Sequence, residues 1–449
     1  MTRKDFEGNH KDLSKISISE LMQATEEDMH KTPIMNPKIH KLLKDLKITA
    51  GWVIGTNQSH ASIWSQIWSL SIKFGPPALW VTINPSDIHD PIAQVFCREH
   101  IDLDHFEQTM GPNATHHSEN IACNLYARVH FSHFIITTML ENLFGVHIRS
   151  QQVCVNRGVL GHVQAYIGII ESQNRVTLHL HMLLWMENTP SSDEIKELFK
   201  YGDFRSKIQT YLAHNIQANF PGIGRESLKD IPWEVDLAWS RPLDPHSPTF
   251  NNDYTELEGR LMWSNQIHMC HVGACLLYYG QSVIMKCKRC APWPLSAENS
   301  VDERGNWVVK CTYGYVNNYQ LDLLVMLCCN HDIKLLTNGE YMKNLTWYIS
   351  NYATKGQRSV YNMSSLIAKY MAYQFADSEE VRDSRECTWN LLFHCLQATN
   401  WEAKQSGLQV VSYLMGWGDW YLSHKFVPLY WSSVKAMLLC WCPSLMNER

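Results

Sequence analysis

Charge is scarce in this chain. Asp, Glu, Lys and Arg make up 18% of its 449 residues against 45% hydrophobic residues, a balance that excludes a disordered polypeptide. Basic residues do not outnumber acidic ones. The formal net charge is −5, so the chain lacks the global positive charge with which many proteins hold nucleic acid. A nucleic-acid partner would have to be met by local positive charge or by a bound metal. No apolar run reaches the roughly 20 residues needed to span a bilayer, and the opening MTRKDFEGNHKDLSK is too polar for a secretory leader. No GxxxxGK[ST] phosphate loop is present, and neither is an internal repeat or a low-complexity tract. The expectation is a soluble intracellular protein without a membrane partner. At 52.0 kDa it is long enough for two or three domains with real cores.

Cysteine and aromatic residues, by contrast, are plentiful: 14 Cys, 17 Trp and 19 Tyr. Inside a cell such cysteines are buried thiols or metal ligands rather than a disulfide framework. Residues 1–70 read as an N-terminal helical segment, polar at first and interrupted by Pro33 and Pro37, ending in the amphipathic stretch 58–74. ALWVTI, closed by Asn84-Pro85, reads as a buried strand running into a turn. Residues 130–144 form a helix that stops at Gly145, and a long helix opens after Thr189-Pro190-Ser191-Ser192 and runs to about residue 217. Residues 232–254, rich in Pro, Asp and Asn, mark a linker, and 320–337 reads as strand. The boundaries expected from this pattern are 71–235 for the first part of a sheet domain, 236–315 for a linker and Cys/His-rich lobe, and 316–449 for the second part of the domain with C-terminal helices.

Two distant segments carry the chemistry. VQAYIGIIE (163–171) and VTLHLHMLLW (176–185) are strand-like runs separated by a four-residue connection, which predicts a hairpin. Alternation puts His179 and His181 on one face of the second strand. Glu171 lies across the hairpin, and Gln173 is in the connecting turn. Two imidazoles and one oxygen donor can hold a divalent ion, and this donor set suits Mg²⁺ or Mn²⁺ with positions left open for phosphate oxygens. Far downstream, WYISNYATKG (347–356) predicts a helix with Tyr348 and Tyr352 one turn apart and Lys355 on the same face. Taken singly, each piece has an ordinary explanation. With 22 His in the chain, roughly one His-x-His is expected by chance. Tyrosine pairs usually pack, and a lysine near a helix end is usually solvated. The joint pattern is that of a metal-assisted site in which a tyrosine attacks a phosphodiester.

A third group, HMCHVGACLLYYGQSVIMKCKRC (268–290), offers more ligands than a structural zinc needs. Cys270, His271, Cys275 and Cys287 are the expected set, with His268 and Cys290 as further donors.

These blocks, together with GPPALWVTINPSDIHDP (75–91), APWPLSAENSVDE (291–303) and VVSYLMGWGDWYLSHKFVPLYWSS (410–433), resemble the Helitron helicase-like N-terminal domain. That domain is the replication-initiator (HUH) nicking domain of rolling-circle transposons, and the likeness is to its fungal form. The resemblance runs from about residue 70 to 432. It implies an α+β fold in which an antiparallel HUH-type sheet is packed by helices, with a Cys/His-rich inserted lobe and helical flanks. It also implies metal-dependent cutting and joining of single-stranded DNA, with His179 and His181 as the histidine pair and Tyr348 and Tyr352 as nucleophiles. Proteins of the family continue into a helicase, so a helicase is expected from a longer relative or in trans, and the place of action is the nucleus. The chain departs from the family pattern at Asn174, Val176 and Cys290. Two other readings use the same residues: a transposon relic that binds DNA without cutting it, and a metal phosphodiesterase that uses water in place of tyrosine.

Overall fold

The computed structural model describes residues 15–50, 57–103, 113–149, 152–172, 178–219, 243–272, 275–278, 285–337, 362–376, 406–427 and 431–442, with residues 390, 393–394 and 429 besides. Its strands are β1 (Leu79–Asn84), the pair β2 (Val146–Arg149) and β3 (Gln152–Val155), β4 (Val163–Ser172), β5 (Leu178–Met186), the short pairs β6 (Leu276–Tyr278) with β7 (Met285–Cys287) and β8 (Ser300–Val301) with β9 (Trp307–Val308), β10 (Asn330–Leu335) and β11 (Trp420–Leu422).

Five of them form one antiparallel sheet in the order β10-β1-β5-β4-β11, which together with the helices makes an α+β protein. The early strands β1, β4 and β5 build the centre. The late strands β10 and β11 close its two edges, so residues 243–327 lie between β5 and β10 in sequence.

β5 reads LHLHMLLWM and is buried along nearly its whole length, as a strand covered on both faces must be. Leu178, Leu180, Met182 and Leu184 point to one side. Three of these, Leu180, Met182 and Leu184, join Val81, Ile83, Ile333, Met139, Leu143 and Phe144 in the main core. Leu183 and Trp185 point to the other side, against Trp80, Ile167 and Ile169 and against Ile63, Ile67 and Leu70 of the helix Asn57–Phe74. The Trp185 indole N–H donates to the Gly75 carbonyl at 2.9 Å, which satisfies the one polar atom of a fully buried ring. The two histidines share this second face, beyond the apolar end that the helix covers.

Several local features differ from the sequence reading. The helix expected to reach about residue 217 is two helices, Ser192–Leu198 and Gly202–Asn215. Phe199 and Phe204 pack edge to face at 5.2 Å in the core. Five residues apart on a continuous helix they would diverge by about 140°, so burying both requires the break. Gly305 lies against this pair, and a Cβ there would meet the Phe199 ring at 2.7 Å. The stretch 320–337 is a short helix, Leu321–Leu327, followed by β10. Gln320 caps that helix by accepting the Leu323 N–H at 2.6 Å, and Cys328 ends it in the left-handed conformation at φ 44. The segment expected to be linker up to residue 254 is helical from Phe250. The helix expected over 130–144 begins at Leu125, capped by Asn124, and passes at Thr138 into a π-helical turn, Met139–Leu143. Gly145 then turns with φ 69, and a Cβ there would meet the Asn156 carbonyl oxygen at 2.5 Å.

The helices Ile18–Met29 and Pro37–Ala50 pack with Met363–Ala376 in a separate small core of Leu21, Ile39, Leu42, Leu46, Ile367 and Met371. Ser17 and Glu20 form a reciprocal capping box at its first helix. No helix among the described residues is long and apolar enough to cross a membrane.

Two buried polar groups tie the sheet to its surroundings. The loop after β1 is held to the helix Leu125–Thr138 by the Arg128 guanidinium, which meets Asp87 Oδ2 at 3.0 Å through both Nε and Nη2. Burial raises the Asp87 carboxyl above its usual range, and the guanidinium opposes that rise. Replacing Arg128 by Met should therefore cost about 3–5 kcal/mol in urea unfolding, because it strands a buried carboxylate. His331 is fully buried on β10, and its Nε2 accepts the Gln320 N–H at 2.9 Å. The ring proton therefore sits on Nδ1, toward the Cys329 carbonyl at 3.3 Å. Burial depresses its pKa to about 4, although the hydrogen bonds to Cys329 and Gln320 act in the other direction. An unfolded histidine titrates near 6.5. Its stabilising contribution is thus fully present above about pH 6.5 and is lost as pH falls toward 4. Unfolding free energies measured between pH 7 and 4.5 should decline, and the decline should be shallower in His331→Gln.

Candidate functional site

The pairing of β5 with its neighbours brings residues from four strands to one face. Glu171 on β4 lies opposite His179, and Ile169 lies opposite His181. On the other side of β5, Thr82 of β1 lies opposite His181, with Asp332 of β10 beyond it. The Glu171 carboxylate reaches diagonally to His181, with Oε2 and Nε2 at 3.2 Å, while Thr82 Oγ1 meets His181 Nδ1 at 3.1 Å. Both nitrogens of His181 are therefore held in place. His179 Nδ1 is held by a very short contact with Asn84 Oδ1. The Asn84 amide in turn donates to Asn330 Oδ1 at 2.6 Å. Burial, followed by the neighbouring His181, lowers the His179 pKa to about 4, with Glu171 pulling the other way. His179 is thus a neutral imidazole at physiological pH, the form in which a histidine binds a metal.

Ligands at about 2.1 Å from an octahedral ion lie about 3 Å apart when adjacent. The Glu171 and His181 atoms have this separation. Geometrically, however, the strand set is not yet a closed cage. Among the described residues, one group of three or more His, Cys, Asp or Glu has all its ligand atoms within 4.8 Å of one another, and it lies elsewhere: His268, Cys270, Cys275 and Cys287.

This second cluster forms where a chain segment meets a hairpin. Ile267 bridges Val316, and His268 N–H donates to the Tyr315 carbonyl at 2.7 Å. Cys275 and Cys287 stand at the base of the β6–β7 hairpin, where Leu276 pairs with Cys287. His268 Nε2 lies 3.3 Å from Cys287 Sγ. Two sulfurs accept backbone N–H groups, Cys275 from His271 at 3.2 Å and Cys287 from Arg289 at 3.4 Å. Burial alone would raise the Cys287 thiol. The N–H groups of Ala291 and Arg289 and the contacts with Cys270 and Cys275 outweigh it and lower the pKa. Burial, then the hydrogen bonds to Cys287 and Cys275, push the Cys270 thiol up to about 12. Three sulfurs and one imidazole so arranged could hold a metal ion.

The expected ligand His271 is not in the cluster, and His268 occupies the fourth place. The His268 ring reaches Cys287 Sγ at 3.3 Å, whereas the chain turns at His271, whose carbonyl accepts the N–H groups of Cys275 and Leu276. His271 is exposed and contributes its backbone N–H to Cys275 instead. Cys290, with φ 60, is exposed and outside the group. Gln173, Tyr348, Tyr352 and Lys355, like Asn174 and Val176, lie outside the described residues. Sequence pattern does not mark Thr82, Asn84 and Asn330 as site residues. The one sign in the chain is the Asn84-Pro85 turn, because their roles arise from pairing across 95 to 246 positions.

The chain is thus an α+β protein with histidines on the central strand of an antiparallel sheet and a metal-capable Cys/His lobe. Residues 2–184 match the family model described as Helitron helicase-like domain at N-terminus, which supports a transposon-related function. The match ends inside β5. It takes in Glu171, His179 and His181 and stops short of the lobe and of residues 348–355. Comparison with curated proteins gives no match.

The lobe geometry separates two neighbouring histidines. Co²⁺ added to the protein should give thiolate charge-transfer and tetrahedral d–d absorption. His268→Ala and Cys275→Ser should weaken or abolish that absorption, and His271→Ala should leave it in place.

Proposed function

We propose that the chain is a metal-dependent endonuclease and strand transferase that acts on single-stranded DNA at the ends of a rolling-circle, Helitron-type transposon. The observation that carries this reading is the convergence of Glu171 and the His179/His181 strand on one face of the sheet, within the segment that matches the Helitron model. His181, His179 (through the ring nitrogen not bound to Asn84) and Glu171 would hold Mg²⁺ or Mn²⁺, with Gln173 as a further oxygen donor. When bound, such an ion supplies Lewis-acid withdrawal of charge from a phosphodiester.

The protein's own part is positioning and nucleophilic attack. Thr82 and Asn84 hold the two imidazoles in fixed orientations, so little ordering remains for the moment of reaction. The phenol of Tyr348 or Tyr352 would lose its proton and attack phosphorus. The bond from phosphorus to the 3′-oxygen breaks, that oxygen leaves and takes up a proton, and the 5′-phosphate stays esterified to tyrosine. Lys355 would balance the phenolate charge. A second tyrosine four residues on in the sequence would let a second strand be cut before the first is released, which is what joining requires. In the lobe, three sulfurs and one imidazole suit zinc, and such an ion would be structural, since four protein ligands leave no open position. A DNA substrate places the action in the nucleus, with unwinding supplied by a helicase in a longer relative or in trans.

The test is covalent. Incubation with a single-stranded transposon-end substrate and Mn²⁺ should leave a DNA adduct that survives denaturing electrophoresis. Tyr348→Phe with Tyr352→Phe should abolish the adduct, and His179→Ala with His181→Ala should abolish both adduct and cleavage. Cleavage that persists in the double Phe variant identifies hydrolysis by water, for which Glu171 hydrogen-bonded to His181 is a ready base pair. Absence of cleavage on every transposon-end substrate identifies a chain that only binds DNA.

A further inference from the structure

The Cys/His lobe is rooted beside the histidine strand. From His179 a series of hydrogen-bonded contacts runs through Asn84 and Asn330 to the Asn265 carbonyl at 2.5 Å and Gln266 Oε1 at 3.5 Å. Two residues after Gln266 comes His268, the first member of the metal-capable cluster. The far end of that cluster is a tight turn at Cys287–Cys290. Its Arg289 backbone is pinned twice, by its N–H to Cys287 Sγ at 3.4 Å and by its carbonyl to the Trp293 indole at 3.2 Å. His268 Nε2 meets Cys287 Sγ at 3.3 Å, so the turn is tied to the cluster, and the cluster through Gln266 and Asn265 to the histidine strand.

Charge is also segregated here. From Leu261 to Ala297 the chain has no Asp or Glu, but it has Lys286, Lys288 and Arg289, in a protein whose net charge is −5. All three are exposed, and none is paired with a carboxylate among the described residues. The same hairpin carries Tyr278, 61% exposed. Exposed basic side chains interleaved with an aromatic ring make the combination that tracks a single strand, charge on the phosphates and ring on a base.

We propose that this lobe is the strand-holding wall of the site: Arg289, supported by Lys286 and Lys288, binds backbone phosphates of single-stranded DNA next to the histidine pair. The choice of DNA as the ligand rests on the nicking reading. The placement of a phosphate-binding arginine does not depend on whether the chain cuts. The guanidinium is a fork of five donors that matches a phosphodiester bidentately, and the sulfur-pinned turn fixes the backbone from which it projects. The acidic balance of the whole chain is reconciled with a DNA partner in this way, by concentrating positive charge where the strand runs.

The test uses the full chain, a fluorescein-labelled 30-nucleotide single strand and buffer without added Mg²⁺ or Mn²⁺, so that binding is read without cleavage. Arg289→Ala should weaken binding about tenfold and flatten the slope of log K against log salt by about 0.7 for each phosphate no longer neutralised. Lys286→Ala with Lys288→Ala should flatten it further, and Arg289→Lys should restore part of the affinity but not all. Metal content should remain that of the wild type, because none of the three is a ligand. Unchanged affinity and slope in Arg289→Ala and in the double lysine variant overturn the proposal, as does a wild-type chain that fails to bind the strand. Dependence of binding on Arg289 without any covalent adduct upholds this inference and sinks the nicking reading. A normal adduct in an Arg289→Ala protein that binds normally does the reverse.

Discussion

The register of β5 between β1 and β4 is the constraint on which the rest depends. Side chains on a strand alternate, so a slip of one residue would exchange Leu180 and Met182 for His179 and His181 in the main core. The apolar residues forbid that slip. Leu180, Met182 and Leu184 must stay with Ile83, Ile333 and Phe144, and Leu183 and Trp185 must stay under the helix Asn57–Phe74. The polar face is therefore placed by the apolar one: Glu171 meets His179, and Thr82 meets His181, because no other alignment buries the core.

That alignment concentrates polar groups at one end of an otherwise apolar sheet. Buried polar atoms are costly unless bonded, and the histidines and asparagines here are bonded. His181 is held by Glu171 and Thr82, His179 by Asn84, and Asn84 by Asn330. The same hydrogen bonds that make this end of the sheet tolerable also fix the orientation of the imidazoles. The series continues through Asn265 and Gln266 into the Cys/His lobe, so strand site and lobe form one polar region rather than two separate devices.

The two sites differ in how they would meet a metal. The lobe gathers soft sulfur ligands within 4.8 Å, with backbone N–H groups on two of the sulfurs. An ion bound there would couple its occupancy to the folding of the lobe. The strand site has hard oxygen and imidazole donors that also bond to one another. An ion there would replace the Glu171–His181 hydrogen bond, which suits weaker binding with substrate oxygens completing the shell.

How much of this is legible in the chain follows from the range of each interaction. The β4–β5 hairpin, the histidine face, Glu171 opposite it and the Cys-rich segment are all readable, because alternation and short spacings are local properties of a chain. The helix over 58–74 and the β1 run are readable for the same reason. Tertiary structure alone decided the rest. It broke the helix at Phe199 so that two aromatic rings could share a core, and it replaced half of an expected strand by the helix Leu321–Leu327. It chose His268 over His271 by setting the His268 ring against Cys287 and turning the chain at His271. It also brought Asn84 and Asn330 to the histidines from 95 positions away and more in the chain. Local pattern sets which residues can share a face; only the closing of the sheet by late strands, driven by burial of both its faces, sets which distant residues they meet.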